Sequence, residues 1–370
     1  MSQEEHARRN AFTPPLLPPD IQYAPFVPYL TAAHRELGIL SGALIRPVVD
    51  PKLLITPLLT KEAVSSSSIE GTMATVEDVF RYEVAEQELH DEELRRDAQE
   101  IINYRRAIEA SVAELRKRAI GENLLKSAHS ILLDSVRGSQ KSPGQFRRGF
   151  VYIGNRGASI ENASFIPAPP EAIPDLMKNW EAYINLNTEG DLLVQIAVAH
   201  YQFEAIHPFT DGNGRIGRLV IPLFLVEKHL LPSPVLYISQ FFEQNRANYI
   251  ANLRSVDKEG TWTPWVTFFL EAIRLQALRT TAAIQQITQL YGDLKVQVAG
   301  WGTVHGPALL DHIFIRPAVN YTYLTSVLIA APQTIYNLLD RFEKEGILTV
   351  LGHRRRDRIY VFHQLIDLLK

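Results

Sequence analysis

Residues 207 to 218 read His-Pro-Phe-Thr-Asp-Gly-Asn-Gly-Arg-Ile-Gly-Arg, and this run constrains the fold more than any other stretch. It forces a break between two helices. Upstream, Leu192 to Ala205 places Ile196, Ala199, His200 and Phe203 on neighbouring turns, and Pro208 ends that helix. Downstream, a second helix is expected to start near Gly214 and continue through Leu219, Leu223 and Val226. Between them, the small residues Gly212, Asn213 and Gly214 let backbone N–H groups approach an anion. The helix N-terminus adds roughly half a positive charge at the same place. Arg215 and Arg218 share one face of that helix, where both reach phosphate oxygens.

The same run supplies a proton acceptor and a metal ligand. An imidazole near its ordinary pKa of ~6.5 accepts a proton from an attacking hydroxyl at neutral pH, which suits His207. Asp211 is a hard carboxylate of the kind that holds magnesium together with phosphate oxygens and water. Taken singly, each piece reads as structure: a histidine before proline, a turn, two surface arginines. In this order they are the parts for binding a nucleoside triphosphate and moving a phosphorus group.

Composition narrows the setting. The chain has 370 residues, which favours two or three domains. A net charge of −3 gives no overall pull toward nucleic acid or anionic membrane. It has no cysteine, which excludes disulfides, thiolate zinc sites and cysteine nucleophiles and fits a reducing compartment. The first residues, MSQEEHARRN, lack the apolar core of a signal peptide, and no stretch approaches the roughly 20 apolar residues of a membrane span. The expectation is a cytoplasmic protein without a membrane partner.

Residues 1 to 28 are proline-rich and read as an extended arm. From 29 to 135 the apolar spacing is helical. Residues 142 to 170 change character: Ser142-Pro143-Gly144, Gly149, Gly154, Gly157 and Pro167 to Pro170 punctuate short β-like runs, which predicts a hairpin. Helix resumes from 171 to 290. The segment 305 to 370 reads as three helices and a hairpin. Pro332 opens the third helix, Gly346 ends it, and Arg354, Arg355 and Arg356 lie in the connection between two β-like runs. That pattern resembles a winged helix. The expected division is 1–110, 111–290 and 300–370.

The run 207–218 resembles the signature HPFxDGNGRxxR of the Fic family, with every specified position present. The resemblance implies a mainly α fold: a Fic-type helical core with a β-hairpin flap, plus the C-terminal winged-helix-like domain. It implies transfer of AMP from ATP to a Tyr, Ser or Thr hydroxyl of a target protein, or of the chain itself, with Mg2+ at Asp211. His207 would be the base. Gly212, Asn213, Gly214, Arg215, Ile216, Gly217 and Arg218 would surround the ATP phosphates, and Tyr249 would lie on the adenine side. Ser66-Ser67-Ser68-Ile69-Glu70-Gly71 matches the family's inhibitory motif (S/T)xxxE(G/N), so Ser66 and Glu70 are expected on one helix face with Glu70 competing for Arg218. The hairpin at 142–170 takes the place of the family's flap, with Ile166 as the clamp on the target. Two other functions fit the same sequence: a transcription regulator that senses nucleotide through its Fic core and touches DNA through 305–370, or a hydrolase that removes AMP. A homodimer is a further expectation.

Overall fold

The computed structural model describes residues 2–45, 50–86, 89–136, 140–154, 159–186, 190–351 and 358–369. The chain divides into two interleaved compact units, one of residues 1–38 with 103–277, the other of residues 39–102 with 278–370. The contiguous division expected from the sequence therefore does not describe the packing.

The first unit is built around one helix, α8 (Leu192–Ile206), in which thirteen of fifteen residues are buried. A helix apolar on all sides has no solvent face and must sit in the middle. α7 (Ile173–Ile184) and α9 (Asn213–Glu227) pack along it. Two tryptophans fasten it: Trp180 Nε1 donates to the Ala199 carbonyl and Trp265 Nε1 to the Ala197 carbonyl, both at 2.8 Å. α6 (Glu122–Leu132) packs on α7 and α9.

The first residues form a helix rather than an extended arm. α1 (Gln3–Asn10) has a complete capping box, with Ser2 and Glu5 exchanging bonds to each other's backbone. The prolines that argued against helix all follow residue 13, so they leave this segment untouched.

The segment 142–170 is thinner than a hairpin. Among the described residues its only β pairing is one antiparallel bridge, Ile153 with Phe165. On the other side of Phe165, the Phe12 N–H donates to the Ile166 carbonyl at 2.9 Å, so the arm continues the pairing. Ala7, Ile160 and Ile166 form a small buried cluster there, with Ala11, Phe150 and Ala163 against it.

In the second unit, α3 (Pro51–Ile69) packs against α13 (His305–Ile315), and α4 (Val76–Val84) against β1 (Ala318–Val319). α14 (Tyr321–Val327), α15 (Pro332–Lys344), β2 (Thr349–Leu351) and β3 (Ile359–Val361) follow, and the sheet order is β1-β3-β2. The three helices and the hairpin match the sequence pattern. Asn320 caps α14. Arg354 to Arg356 lie outside the described residues. α12 (Trp262–Ala299), a 38-residue helix, carries the chain from the first unit into the second.

Candidate active site

α8 stops at Ile206, and His207 is its C-cap in the left-handed region, φ 52° and ψ 60°. For a residue other than glycine this conformation costs about 1–2 kcal/mol. Buried side chains hold the backbone there. Arg147, 4% exposed, donates Nε to the His207 carbonyl at 2.8 Å and Nη2 to the Ile206 carbonyl at 3.2 Å. Its backbone N–H donates to the Pro208 carbonyl at 2.9 Å. Burial lowers the Arg147 pKa to about 10, so the group stays charged at neutral pH.

The turn after Pro208 closes on itself. Asn213 exchanges two bonds with the Phe209 backbone, each 2.8 Å: its Oδ1 accepts from the Phe209 N–H and its Nδ2 donates to the Phe209 carbonyl. The amide side chain is therefore spent on the loop. What Asn213 offers an anion is its backbone N–H, alongside those of Gly214 and Arg215. These first-turn groups have no acceptor within α9, and the N-cap Gly212 supplies no side chain to take them. Gly212 has φ +76°, and a Cβ there would meet Leu132 at 3.0 Å. Glycine thus answers two demands at one position. Gly217 lets α9 approach α8, since a Cβ would fall 2.4 Å from Glu204 Oε1 and 3.2 Å from Phe203.

Two buried histidines brace the turn from opposite sides. His129 on α6 stacks on Phe209 at 3.9 Å between centroids. The Gly144 N–H donates to its Nδ1 at 2.8 Å, so its Nε2 carries the proton and donates to the Asp211 carbonyl at 2.9 Å. Burial, with the nearby Arg215 charge, pushes its pKa down to about 4 and outweighs its bond to Asp211. His200 on α8 donates Nδ1 to the Gly217 carbonyl at 3.1 Å and accepts the Tyr249 hydroxyl at Nε2 at 2.9 Å. Burial holds its pKa near about 3. Both are neutral tethers.

Asp211 Oδ1 accepts from the Gly212 N–H at 2.7 Å, and Oδ2 meets Lys141 Nζ at 2.8 Å. Arg215 lies 3.9 Å from it. Burial pushes the Asp211 carboxyl up, but Lys141, Arg215 and the Gly212 N–H together hold it below the ordinary range, so it is ionised at neutral pH. Arg215 and Arg218 are buried, 4% and 1% exposed, and Ile216 is buried with them. The turn, the helix start and these cations share one stretch of chain.

Tyr249 and Ile166 are both buried. Tyr249, 5% exposed, is stacked on Phe242 at 4.3 Å with its hydroxyl on His200, so it supports the motif helix from behind. Ile166, 6% exposed, packs with Ala7 of α1 and Ile160. The exposed apolar side chains of that segment are Tyr152 and Ile153. Ser66 and Glu70 lie in the other unit: Ser66 is buried in α3, and Glu70 is the exposed C-cap of that helix. Arg147, His129 and Lys141 were not singled out in the sequence. Pro143-Gly144 before Arg147 was the one signal, because a turn there brings both neighbours to the motif.

Models of the Fic/DOC family match residues 119–225, and models of the Fic/DOC family N-terminal region match residues 27–113, together more than half of the chain. The chain belongs to the Fic/DOC family. A probable protein adenylyltransferase of Aquifex aeolicus is 31% identical over 137 residues, which is 37% of this chain and 38% of that protein. The protein adenylyltransferase Fic of Drosophila mojavensis is 29% identical over 185 residues, 48% of this chain and 31% of that protein. The chain thus spans about a third of the length of the curated relatives it matches. A Fic family protein from Desulfovibrio desulfuricans G20 shares the fold with a TM-score of 0.59 at 20% identity, over 93% of this chain and 98% of that one. Fic-1 from C. elegans gives 0.54 at 19%, over 70% of this chain and 74% of that one.

The donor set also bears on a metal. Among the described residues no group of three or more His, Asp or Glu side chains converges on one point. One ionised, part-buried carboxylate beside a helix N-terminus fits a divalent ion that arrives with phosphate oxygens, rather than one held by the protein alone. Lys141 Nζ, half exposed, is the cation paired with Asp211 Oδ2 in this structure.

Proposed function

We propose that this Fic chain transfers AMP from ATP to a hydroxyl side chain of a target protein. The observation that carries the proposal is the turn from His207 to Arg218. A base, an ionised carboxylate, a helix N-terminus and two buried guanidiniums follow one another there. Relatives that share the family are named protein adenylyltransferases.

His207 would accept the proton of the attacking hydroxyl. A bond would form from that oxygen to the α-phosphorus, and the bond from the α-phosphorus to the bridging oxygen would break, releasing pyrophosphate. Backbone N–H groups at the start of α9, with Arg215 and Arg218, would offset the charge that gathers on the phosphates. Asp211 would hold Mg2+, which would neutralise the leaving pyrophosphate. The target segment would dock along 150–154, where Tyr152 and Ile153 are exposed. The Asn320 to Leu339 stretch has no charged residue, so a DNA contact would fall to Arg354 to Arg356 and forms no part of this proposal.

Glu70 would restrain the reaction by competing with the γ-phosphate for Arg218. Its match to the inhibitory motif supports this. The test is incubation of the full chain with labelled ATP, alone and in lysate, comparing Glu70→Gly with the parent. Label on protein should rise at least about tenfold, as relief of 1.4 kcal/mol would give. Arg218→Ala in the same background should cancel the gain. A Glu70→Gly chain no faster than the parent would remove the inhibitory role, and absence of protein-bound label in both would remove AMP transfer itself.

A further inference from the structure

We infer that Arg147 is a positioning residue, fixing His207 against the segment on which the target docks; the inference rests on the proposed AMP transfer. One planar group spans both elements. Its Nε and Nη2 hold the carbonyls of His207 and Ile206. Its Nη1 reaches the Gly149 carbonyl at 2.9 Å, and Nη2 also reaches the Ala168 carbonyl. Gly149 and Ala168 are the two roots of the segment 150–167. The carbonyls of Ile206, His207 and Pro208 are therefore all tied to one residue, and both ends of the docking segment are tied to the same residue.

All four side-chain acceptors are backbone carbonyls. A buried cation held without a carboxylate is an expensive way to join two pieces of backbone. The same unit joins backbone cheaply elsewhere. Gln195 Nε2 ties the Tyr183 and Leu186 carbonyls at 2.8 and 3.0 Å, and Asn103 Nδ2 reaches the Asp134 carbonyl at 2.7 Å. A neutral amide has two N–H groups on one nitrogen. It cannot reach four carbonyls in two directions at fixed angles, whereas a guanidinium fork can. The arrangement suits a need for geometry. A hydroxyl on a docked strand must meet the His207 imidazole and the α-phosphorus together. The distance from the strand's roots to the His207 backbone sets that meeting. A misplacement of about 1 Å costs on the order of a hundredfold in rate.

The experiment compares Arg147→Met, Arg147→Lys and Arg147→Gly with the parent, all carrying Glu70→Gly. Three quantities are read: transfer of label from ATP to protein, affinity for a fluorescent ATP analogue, and the 15N signals of the His207 ring, assigned by their loss in His207→Ala. Arg147→Met should lower the transfer rate on the order of a hundredfold while the affinity changes less than about threefold. Arg147→Lys should recover part of the rate. Guanidinium added below unfolding concentrations should recover part of the rate of Arg147→Gly, which a general loss of stability would not allow. The His207 ring signal should move in Arg147→Met. A folded Arg147→Met chain with parental rate and an unmoved His207 signal would overturn the inference. If Arg147→Met does not fold, full rate in Arg147→Lys overturns it and a partial rate supports it. If the parent transfers no AMP, the proposed function fails, and the ring signal alone decides the positioning role.

Discussion

The turn 207–213 and the segment 150–166, along whose start the target is proposed to dock, lie at two ends of the same guanidinium, yet they are built in opposite ways. In the turn, irregular backbone is held by two side chains brought from afar, Arg147 on residues 206–208 and His129 on Asp211, and by one of its own, Asn213 on Phe209. In the segment, among the described residues, regular pairing is reduced to one bridge, and the cover is a short helix from the N-terminus. The difference follows from what each region would meet. Phosphate chemistry is the same in every turnover and rewards fixed atoms. A protein target brings its own backbone, and the proposed docking strand would take it up by strand addition.

The largest effect expected from this contrast is at His207. His207→Ala should cut transfer on the order of a hundred- to ten-thousandfold and leave ATP affinity nearly unchanged, since the base acts on the incoming hydroxyl. Transfer at the parental rate in rapid-quench assays would mean the turn is rigid for some other purpose.

A smaller effect is expected from acid. His129 and His200 have pKa values of about 4 and about 3 in the folded chain, against an ordinary value of 6.5. The unfolded chain takes up protons that the folded chain refuses. The stability they contribute is thus fully present above pH 6.5 and is lost as pH falls toward 4, with a slope approaching about 1.4 kcal/mol per pH unit for each. Thermal midpoints at pH 7, 6 and 5 should fall in steps, and His129→Gln should soften the fall. A flat midpoint across that window would show that the turn does not depend on neutral tethers.

The smallest effect is expected at the segment. Removing residues 2–12 deletes Ala7, Ala11 and the Phe12 bond to Ile166, and should lower the midpoint by only a few degrees. Transfer should persist. A folded deletion without transfer would show that the docking segment is as rigidly specified as the turn.

The sequence made the turn legible because its chemistry is local: every residue from His207 to Arg218 is contiguous, and the helix break follows from Pro208 and Gly212. The braces were not legible. A histidine in the middle of α6 and an arginine after Pro-Gly look like any others until the chain has folded over them. The segment 142–170 looked like a hairpin because Gly and Pro punctuate it, but its pairing partner on one side is the arm, more than a hundred residues earlier. The interleaved units were hidden for the same reason. α3 and α13 find each other across more than two hundred residues, and no spacing rule reports a contact at that range.

That interleaving has a consequence during synthesis. Residues 39–102 leave the ribosome early, but the residues that complete their unit begin at 278. At roughly 5–20 residues per second, the wait between the two pieces is about ten to thirty-five seconds. During that time α3, with Ser66 and Glu70 at its end, has been made but lacks α13, the helix it packs on. The first unit closes sooner, once residue 277 has emerged. A nascent chain would therefore own a finished turn before the unit that carries Glu70 is complete, and a ribosome stalled between 277 and 370 would expose that order directly.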